Sequence, residues 1–441
     1  MNGAAGACFR VAPGGKIGGT LTVPGDKSIS HRALMLGAIA RGQTAVSGFL
    51  AAQDCLATAH ALRALGVRIE SPAPTEVRIH GVGEDGLRAP GAPLDMGNAG
   101  TAMRLMMGLL APQRFACTLI GDASLMRRPM ERVAVPLRLM GAQIQTQAGC
   151  PPVQIQGTPA LRAIQYALPV ASAQVKSALL LAALKADGRT QLSEPAPSRD
   201  HTERMLRAFG VELLQQGSTL VLAGGQTLTG THIQVPADFS SAAFFLVAGV
   251  LAAEEPLLLS NVGVNPTRIG LIEILQRMGA DIRIHPRRAP AGQELEPVAD
   301  IEVRKSALRG ISVPESLVPR AIDEFPVLFV AAACASGETV VRGALELRVK
   351  ESDRLAAMAA GLDVLGIENQ LLPDGLWLRG ADSFGGGSID SRGDHRIAMA
   401  FAVAALKARA PLEIRDVANV ATSFPGFLNT ARAAGLQIAP G

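Results

Sequence analysis

Leu206-Arg207-Ala208-Phe209-Gly210-Val211 closes a leucine-bearing helical run on a glycine and passes straight into an apolar strand. Glycine suits the left-handed position that ends a helix, so this hexamer reads as helix, turn, strand. The same pattern returns as Leu62-Arg63-Ala64-Leu65-Gly66-Val67, Leu137-Arg138-Leu139-Met140-Gly141-Ala142 and Leu275-Gln276-Arg277-Met278-Gly279-Ala280. It returns twice more as Leu362-Asp363-Val364-Leu365-Gly366-Ile367 and Ala431-Arg432-Ala433-Ala434-Gly435-Leu436. The glycines are 75, 69, 69, 87 and 69 residues apart, and a sixth of the 441 residues is about 74. The chain therefore reads as six α/β repeats.

A second feature keeps step with the first. Six polar clusters open directly into apolar runs: Asp26-Lys27-Ser28-Ile29-Ser30-His31-Arg32, Asn98-Ala99-Gly100-Thr101-Ala102-Met103-Arg104 and Ser172-Ala173-Gln174-Val175-Lys176-Ser177. The others are Asp238-Phe239-Ser240-Ser241, Asp323-Glu324-Phe325-Pro326 and Asp394-His395-Arg396. A polar cluster ahead of an apolar run marks a helix N-terminus, where free N–H groups and the helix dipole favour an anion. Six such starts, several bearing Lys or Arg, predict a site that holds several negative charges.

Composition narrows the class. With 48% hydrophobic and 18% charged residues the chain is globular, and Trp377 and Tyr166 are single representatives of their types. So few aromatics, a net charge of +4 and no Lys/Arg block argue against nucleic acid. Five scattered cysteines, Cys8, Cys55, Cys117, Cys150 and Cys334, form no metal-ligand spacing and read as free thiols. The N-terminus lacks the order of a signal peptide, and no apolar run reaches the roughly 18 residues needed to span a bilayer. A cytoplasmic protein without membrane contact is expected.

The seams fall near residues 18–25 and 234–238, where a strand passes through a Pro turn to a polar helix start. Three repeats in 24–236 are expected to form one domain, and 237–441 plus 1–23 the other, with residues 1–15 a Gly- and Ala-rich flexible tail. Val77-Arg78-Ile79-His80, Pro152-Val153-Gln154-Ile155-Gln156 and Ile301-Glu302-Val303-Arg304 read as strands.

Chemistry concentrates at the helix starts. Lys27, Arg32, Arg128, Lys350, Arg354 and Arg396 suit anion recognition, guanidinium groups gripping carboxylate or phosphate bidentately and Lys acting as a movable charge. Lys350 and Arg354, four apart, would share a helix face. Asp323 and Glu324 precede an apolar helix, as a cap, a base or both; Glu351 lies among cations. No P-loop, no strand-borne dinucleotide fingerprint and no nucleophile elbow occurs. A many-cation site with acids, no cofactor and no metal is expected.

At these residues the chain resembles the 5-enolpyruvylshikimate-3-phosphate synthases, over essentially residues 16–436. The motifs are Gly25–Arg32, Gly97-Asn98-Ala99-Gly100-Thr101, Arg128-Pro129-Met130, Ser172–Lys176, Ile322–Pro326, Arg348–Arg354 and Asp394-His395-Arg396. The resemblance implies a two-domain inside-out α/β barrel of six βαβαββ-type repeats, three per domain, with helix N-termini facing an interdomain cleft. It implies transfer of the enolpyruvyl group of phosphoenolpyruvate to shikimate 3-phosphate, in the shikimate pathway to chorismate and the aromatic amino acids, by a monomer. Shikimate 3-phosphate would be held by Lys27, Ser28, Arg32, Ser172, Ala173, Gln174, Ser198, Arg199, Asp323 and Lys350. Phosphoenolpyruvate would meet Lys27, Gly100, Arg128, Gln174, Arg354 and Arg396. Asp323 is the expected base on the 5-hydroxyl, with Glu351 and Lys27 the candidates for proton transfer at C3 and the leaving group.

Two departures stand out. Thr422 occupies the place before Phe424-Pro425 where many members carry a lysine. The Ser-Ala-Gln-Val-Lys run, Arg199–Glu203 and Asn265–Arg268 resemble the glyphosate-tolerant subgroup, whereas Gly100 is the residue of sensitive members, so the motifs point both ways. UDP-N-acetylglucosamine enolpyruvyl transferases share the fold and the donor, but their loop cysteine is replaced here by Ala123.

Overall fold

The computed structural model describes residues 7–287 and 296–441. Its described helices are α1 (Lys27–Ile39), α2 (Gln53–Ala64), α3 (Gly100–Leu110), α4 (Glu131–Leu139), α5 (Ala173–Ala183), α6 (His201–Ala208) and α7 (Phe239–Ala252). They continue as α8 (Gly270–Arg277), the four-residue α9 (Val318–Ala321), α10 (Phe325–Ala333), α11 (Arg354–Val364), α12 (His395–Ala404) and α13 (Phe427–Ala434). The chain divides into two compact units, Gly25–Val235 and Pro236–Gly441, the second completed by the residues up to Pro24.

The repeat is visible in the sheets. In the Gly25–Val235 unit, His232–Gln234 lies parallel to Arg41–Ser47, which pairs antiparallel with Glu76–Val82, itself antiparallel to Arg68–Ala73. The same order recurs as Leu94–Asp95, Ala116–Ile120, Cys150–Gln156, Gln143–Gln147, and as Gln165–Ala167, Arg189–Ser193, Thr219–Ala223, Leu213–Gln216. In the other unit it is Ile17–Leu21, Ala253–Gly263, Val298–Arg304, Asp281–Arg287. Glu338–Val341, Gly375–Arg379 and Asn369–Leu372 form three strands of it, with Ser312 bridging Val340 on the side where the parallel strand stands elsewhere. The last copy is Gly387–Asp390, Leu412–Arg415, Cys8–Gly15, Leu436–Pro440.

That last sheet corrects the flexible tail expected over residues 1–15. Residues 1–6 lie outside the described part, but Cys8–Gly15 is an inner strand, paired with Leu412–Arg415 on one side and Leu436–Pro440 on the other. Phe9 and Val11 are buried, and the Phe9 ring stacks on Phe427 with centroids 6.0 Å apart. Two flanking ladders and two buried apolar side chains outweigh a Gly-rich composition.

Each of the six repeat glycines has the left-handed backbone its turn requires: φ is +91° at Gly66, +97° at Gly141, +89° at Gly210, +106° at Gly279, +77° at Gly366 and +106° at Gly435. Helices α1, α3, α5, α7, α10 and α12 are buried over most of their length. All nine residues of α10 are buried, as is α7 from Phe239 to Leu251, because neither helix has a polar face to show water. In the Gly25–Val235 unit α3 and α5 touch closely: a Cβ at Gly108 would stand 2.0 Å from the Ala178 carbonyl oxygen. The strands are half-buried, as in Glu76–Val82, where Val77 and Ile79 point inward. Among the described residues no helix is long and apolar enough to cross a membrane.

Candidate active site

All six polar clusters are helix starts. Asp26, Ser172, Asp238 and Asp394 cap α1, α5, α7 and α12 through side-chain oxygens that accept backbone N–H bonds; α3 begins after Ala99 and α10 after Glu324, neither with a side-chain cap. Capping by short polar residues is what the sequence pattern predicts.

In the Gly25–Val235 unit, one group of cations gathers at the start of α3. Arg128 donates through Nη2 to Asn98 Oδ1 at 2.6 Å and through Nη1 to the Asn98 carbonyl at 3.2 Å. A Cβ on Gly100 would lie 3.0 Å from Arg128 Nη1 and 3.4 Å from Arg104 Nη1, so glycine leaves the space these guanidinium groups frame. The Gln174 amide joins them. Its Oε1 accepts from Arg104 Nη1 at 2.8 Å and Arg132 Nη2 at 3.2 Å, and its Nε2 donates to Thr101 Oγ1 at 2.9 Å. Arg104 and Arg128 are both buried, an arrangement that suits a multiply charged oxyanion.

Around the starts of α1 and α5 sit the other predicted residues of this unit. Lys27 Nζ donates to Asp54 Oδ2 at 2.8 Å. Buried Arg32 donates through Nε to Thr202 Oγ1 at 2.7 Å, through Nη2 to Ser177 Oγ at 2.9 Å and through Nη1 to the Ser28 carbonyl at 3.0 Å. Ser172, Ala173 and Gln174 form the cap and first turn of α5, and Ser198 donates to Glu194 Oε1. Arg199 lies two residues before α6 and is partly exposed. Between Lys27 and Arg32 stands fully buried His31, whose pKa is driven down to about 3 by burial and then by those two cations, so it is neutral.

The other unit carries the acids. Asp323 Oδ1 is 3.3 Å from Lys350 Nζ and 3.4 Å from Arg354 Nη1, and its carbonyl accepts from Arg396 Nη1 at 2.8 Å. The N-cap position of α10 belongs to Glu324, leaving Asp323 one residue outside the helix and among three cations. Lys350 and Arg354 do not share a helix face as spacing suggested. A short 3-10 turn, Leu345–Val349, precedes Lys350, and α11 starts only at Arg354, capped by Asp353. Both nevertheless reach Asp323.

Arg354, 1% exposed, is bound most tightly. It donates through Nε to Asp394 Oδ2 at 2.8 Å and through Nη2 to Glu351 Oε2 at 2.6 Å. Burial disfavours its charge, but Asp394, Glu351 and Asp323 outweigh that and hold its pKa above the ordinary value. The Asp394 carboxyl, wholly buried, is held below its usual range: burial pushes it up and Arg354 pulls it further down. Arg396 Nη1 also reaches Glu324 Oε1 at 3.4 Å, and Glu324 accepts from Ser240 Oγ, which accepts in turn from Arg268 Nη2 at 2.7 Å. Thr422 is buried and donates to the Asn419 carbonyl at 2.6 Å.

Sequence reasoning missed Arg104, Arg132 and Asp54 as neighbours of the anion-binding groups. Arg104 was legible in principle, four residues after Gly100 on the same face of α3. Asp54, 27 residues from Lys27, carried no local signal.

A sequence profile of the EPSP synthase family, 3-phosphoshikimate 1-carboxyvinyltransferase, matches residues 11–431. A 3-phosphoshikimate 1-carboxyvinyltransferase of Methylococcus capsulatus is 59% identical over 431 residues, covering 98% of both chains. That of Alkalilimnicola ehrlichii is 57% identical over 434 residues, covering 98% of this chain and 97% of its own. The solved EPSP synthase of Acinetobacter baumannii superposes with a TM-score of 0.87 at 53% identity, over 99% of this chain and 100% of that one. The enolpyruvyl transferase NikO of Streptomyces tendae, at 17% identity and a TM-score of 0.78, shares the fold. With the repeat, the helix starts and the motif residues all in place, the chain belongs to the EPSP synthase family.

Proposed function

We propose that this enzyme transfers the 1-carboxyvinyl group of phosphoenolpyruvate to the 5-hydroxyl of shikimate 3-phosphate and releases inorganic phosphate. The match of residues 11–431 to one transferase family carries the reading. Ala123 in place of a loop cysteine turns it away from UDP-N-acetylglucosamine as acceptor.

In this reading Arg128, with Arg104 beside it and Gln174 bonded to Arg104, receives the phosphate of phosphoenolpyruvate over Gly100. Ser172, Ala173, Gln174 and Ser198 take the 3-phosphate at the start of α5, with Arg199 beside them, and Ser28 and Arg32 take the ring carboxylate. Arg396 meets the carboxylate of phosphoenolpyruvate, and Arg354, enclosed by Asp394 and Glu351, supplies positive charge behind it. Asp323 and Lys350 orient the ring hydroxyls. Asp323 accepts the proton of the 5-hydroxyl as its oxygen bonds to C2, while Glu351 or Lys27 delivers a proton to C3. The C–O bond to phosphate then breaks and a C3 proton is lost, restoring the double bond. Positioning and fixed positive charge supply most of the acceleration. The enzyme acts as a monomer in the cytoplasm.

Purified protein should release phosphate from phosphoenolpyruvate only when shikimate 3-phosphate is present, unaffected by EDTA. Release above background with UDP-N-acetylglucosamine instead, or none with either acceptor, overturns the reading.

A further inference from the structure

We propose that Lys176 is a positioning residue for the 3-phosphate of the acceptor, acting through Glu194 and Glu203 to set the 194–203 segment that carries Ser198 and Arg199. The inference rests on the function proposed above.

Lys176 lies one turn into α5, directly behind the Ser172-Ala173-Gln174 start. At 2% exposure it cannot be a solvated surface charge. Its Nζ is 2.7 Å from Glu194 Oε2 and 2.7 Å from Glu203 Oε1. Those carboxylates stand at the two ends of one loop. Glu194 directly follows the strand Arg189–Ser193, and Glu203 lies in the first turn of α6. Between them are Ser198 and Arg199. The other oxygen of Glu194 accepts from Ser198 Oγ, and Lys176 Nζ lies 3.5 Å from the Ser198 carbonyl. One ammonium therefore ties both ends of the loop to the helix whose N-terminus offers the remaining phosphate donors.

Charge makes the arrangement consequential. Ser198 has a single hydroxyl proton, and it points at Glu194; donating to a phosphate requires it to turn away from that carboxylate. A phosphate approaching this loop meets Glu194 and Glu203, and the single charge of Lys176, paired with both, offsets part of their repulsion. Burial disfavours the Lys176 ammonium, but Glu203 and Glu194 outweigh it and raise its pKa, so the charge is kept. Burial raises the Glu203 carboxyl, whose Oε2 has no hydrogen-bond partner among the described residues. Lys176 thus both holds the loop and lowers the repulsion.

The test uses the full chain with two variants, Lys176→Met and the triple Lys176→Met/Glu194→Met/Glu203→Met. The triple replaces the buried charges by apolar groups of similar length, a change that buried ion triads tolerate without loss of fold. Lys176→Met should raise KM for shikimate 3-phosphate at least tenfold and leave KM for phosphoenolpyruvate within twofold. The triple should melt within a few degrees of the parent and keep at least a fivefold rise for shikimate 3-phosphate, since the 194–203 segment has lost its ties to α5. A folded triple with parental KM for shikimate 3-phosphate overturns the proposal. So does a folded Lys176→Met in which both KM values rise alike. The parent enzyme in the same assay separates these outcomes from failure of the functional reading, which would show as no turnover by the parent.

Discussion

Asp323 is the residue on which binding and chemistry come apart. Its carboxylate faces Lys350 and Arg354 within 3.4 Å, so removing it deletes a negative charge from a group that awaits anions. Asp323→Ala should cut kcat by about 10²–10⁴, the usual worth of a positioned general base, while KM for phosphoenolpyruvate holds or falls. Steady-state kinetics with both substrates checks this; near-parental kcat would move the base to Glu351. Asp394 answers a different question. Replacing it by Asn leaves the buried Arg354 guanidinium short of a counter-charge, at a cost of about 3–5 kcal/mol at neutral pH. Because the folded carboxyl is held below its ordinary 3.8, the stability it contributes is present above that value and is lost as pH falls below it. Denaturant melts of parent and Asp394→Asn should therefore differ fully at pH 7 and begin to converge only as pH falls below 3.8, the difference closing as the folded carboxyl is protonated at lower pH. At this scale the sequence was half legible. Caps such as Asp26 and Asp394 announce themselves by the apolar helix that each one opens, whereas Glu194 for Lys176, Thr202 for Arg32 and Asp54 for Lys27 are joined only by folding.

Among elements, the helix-closing glycine is the repeating part, and its six copies are not equally replaceable. At Gly210 a Cβ would meet nothing within 4 Å, so Gly210→Ala bears only the left-handed backbone, about 1–2 kcal/mol. At Gly435 the Cβ would stand 2.0 Å from the Lys16 carbonyl oxygen, in addition to a φ of +106°. Gly435→Ala should cost more than twice as much as Gly210→Ala, measured as the shift in urea midpoint; equal shifts would contradict the close approach. The six turns were readable because a left-handed helix end selects glycine locally. The strand Cys8–Gly15 was not. Its apolar alternation is short, and both of its partners lie some 400 residues away, beyond any window of the sequence.

Over the whole molecule, the two units differ in how they are cut from the chain. Gly25–Val235 is continuous, and its ends lie close together: a Cβ on Gly25 would be 3.3 Å from Val235 Cγ1. The other unit needs Cys8–Gly15 for one sheet and Ile17–Leu21 for another. A fragment of residues 25–235 should unfold in one cooperative transition, whereas 236–441 should not fold until 7–24 is joined to it, for instance after residue 441 through a short linker. Circular dichroism melts of the three pieces check this, and a cooperative melt of 236–441 alone would refute it.

The same interrupted connectivity sets a timetable during synthesis. Residues 25–235 can fold soon after they leave the ribosome, but Cys8–Gly15 must wait for Leu412–Arg415 and Leu436–Pro440. At about 5–20 residues per second, the 205 residues from 236 to 440 keep that first strand short of its neighbours for a further 10–40 s, roughly, after residue 235 is made. For that interval the nascent chain carries a finished globule flanked by an apolar segment with unsatisfied backbone, which is the form a chaperone recognises and an aggregate recruits.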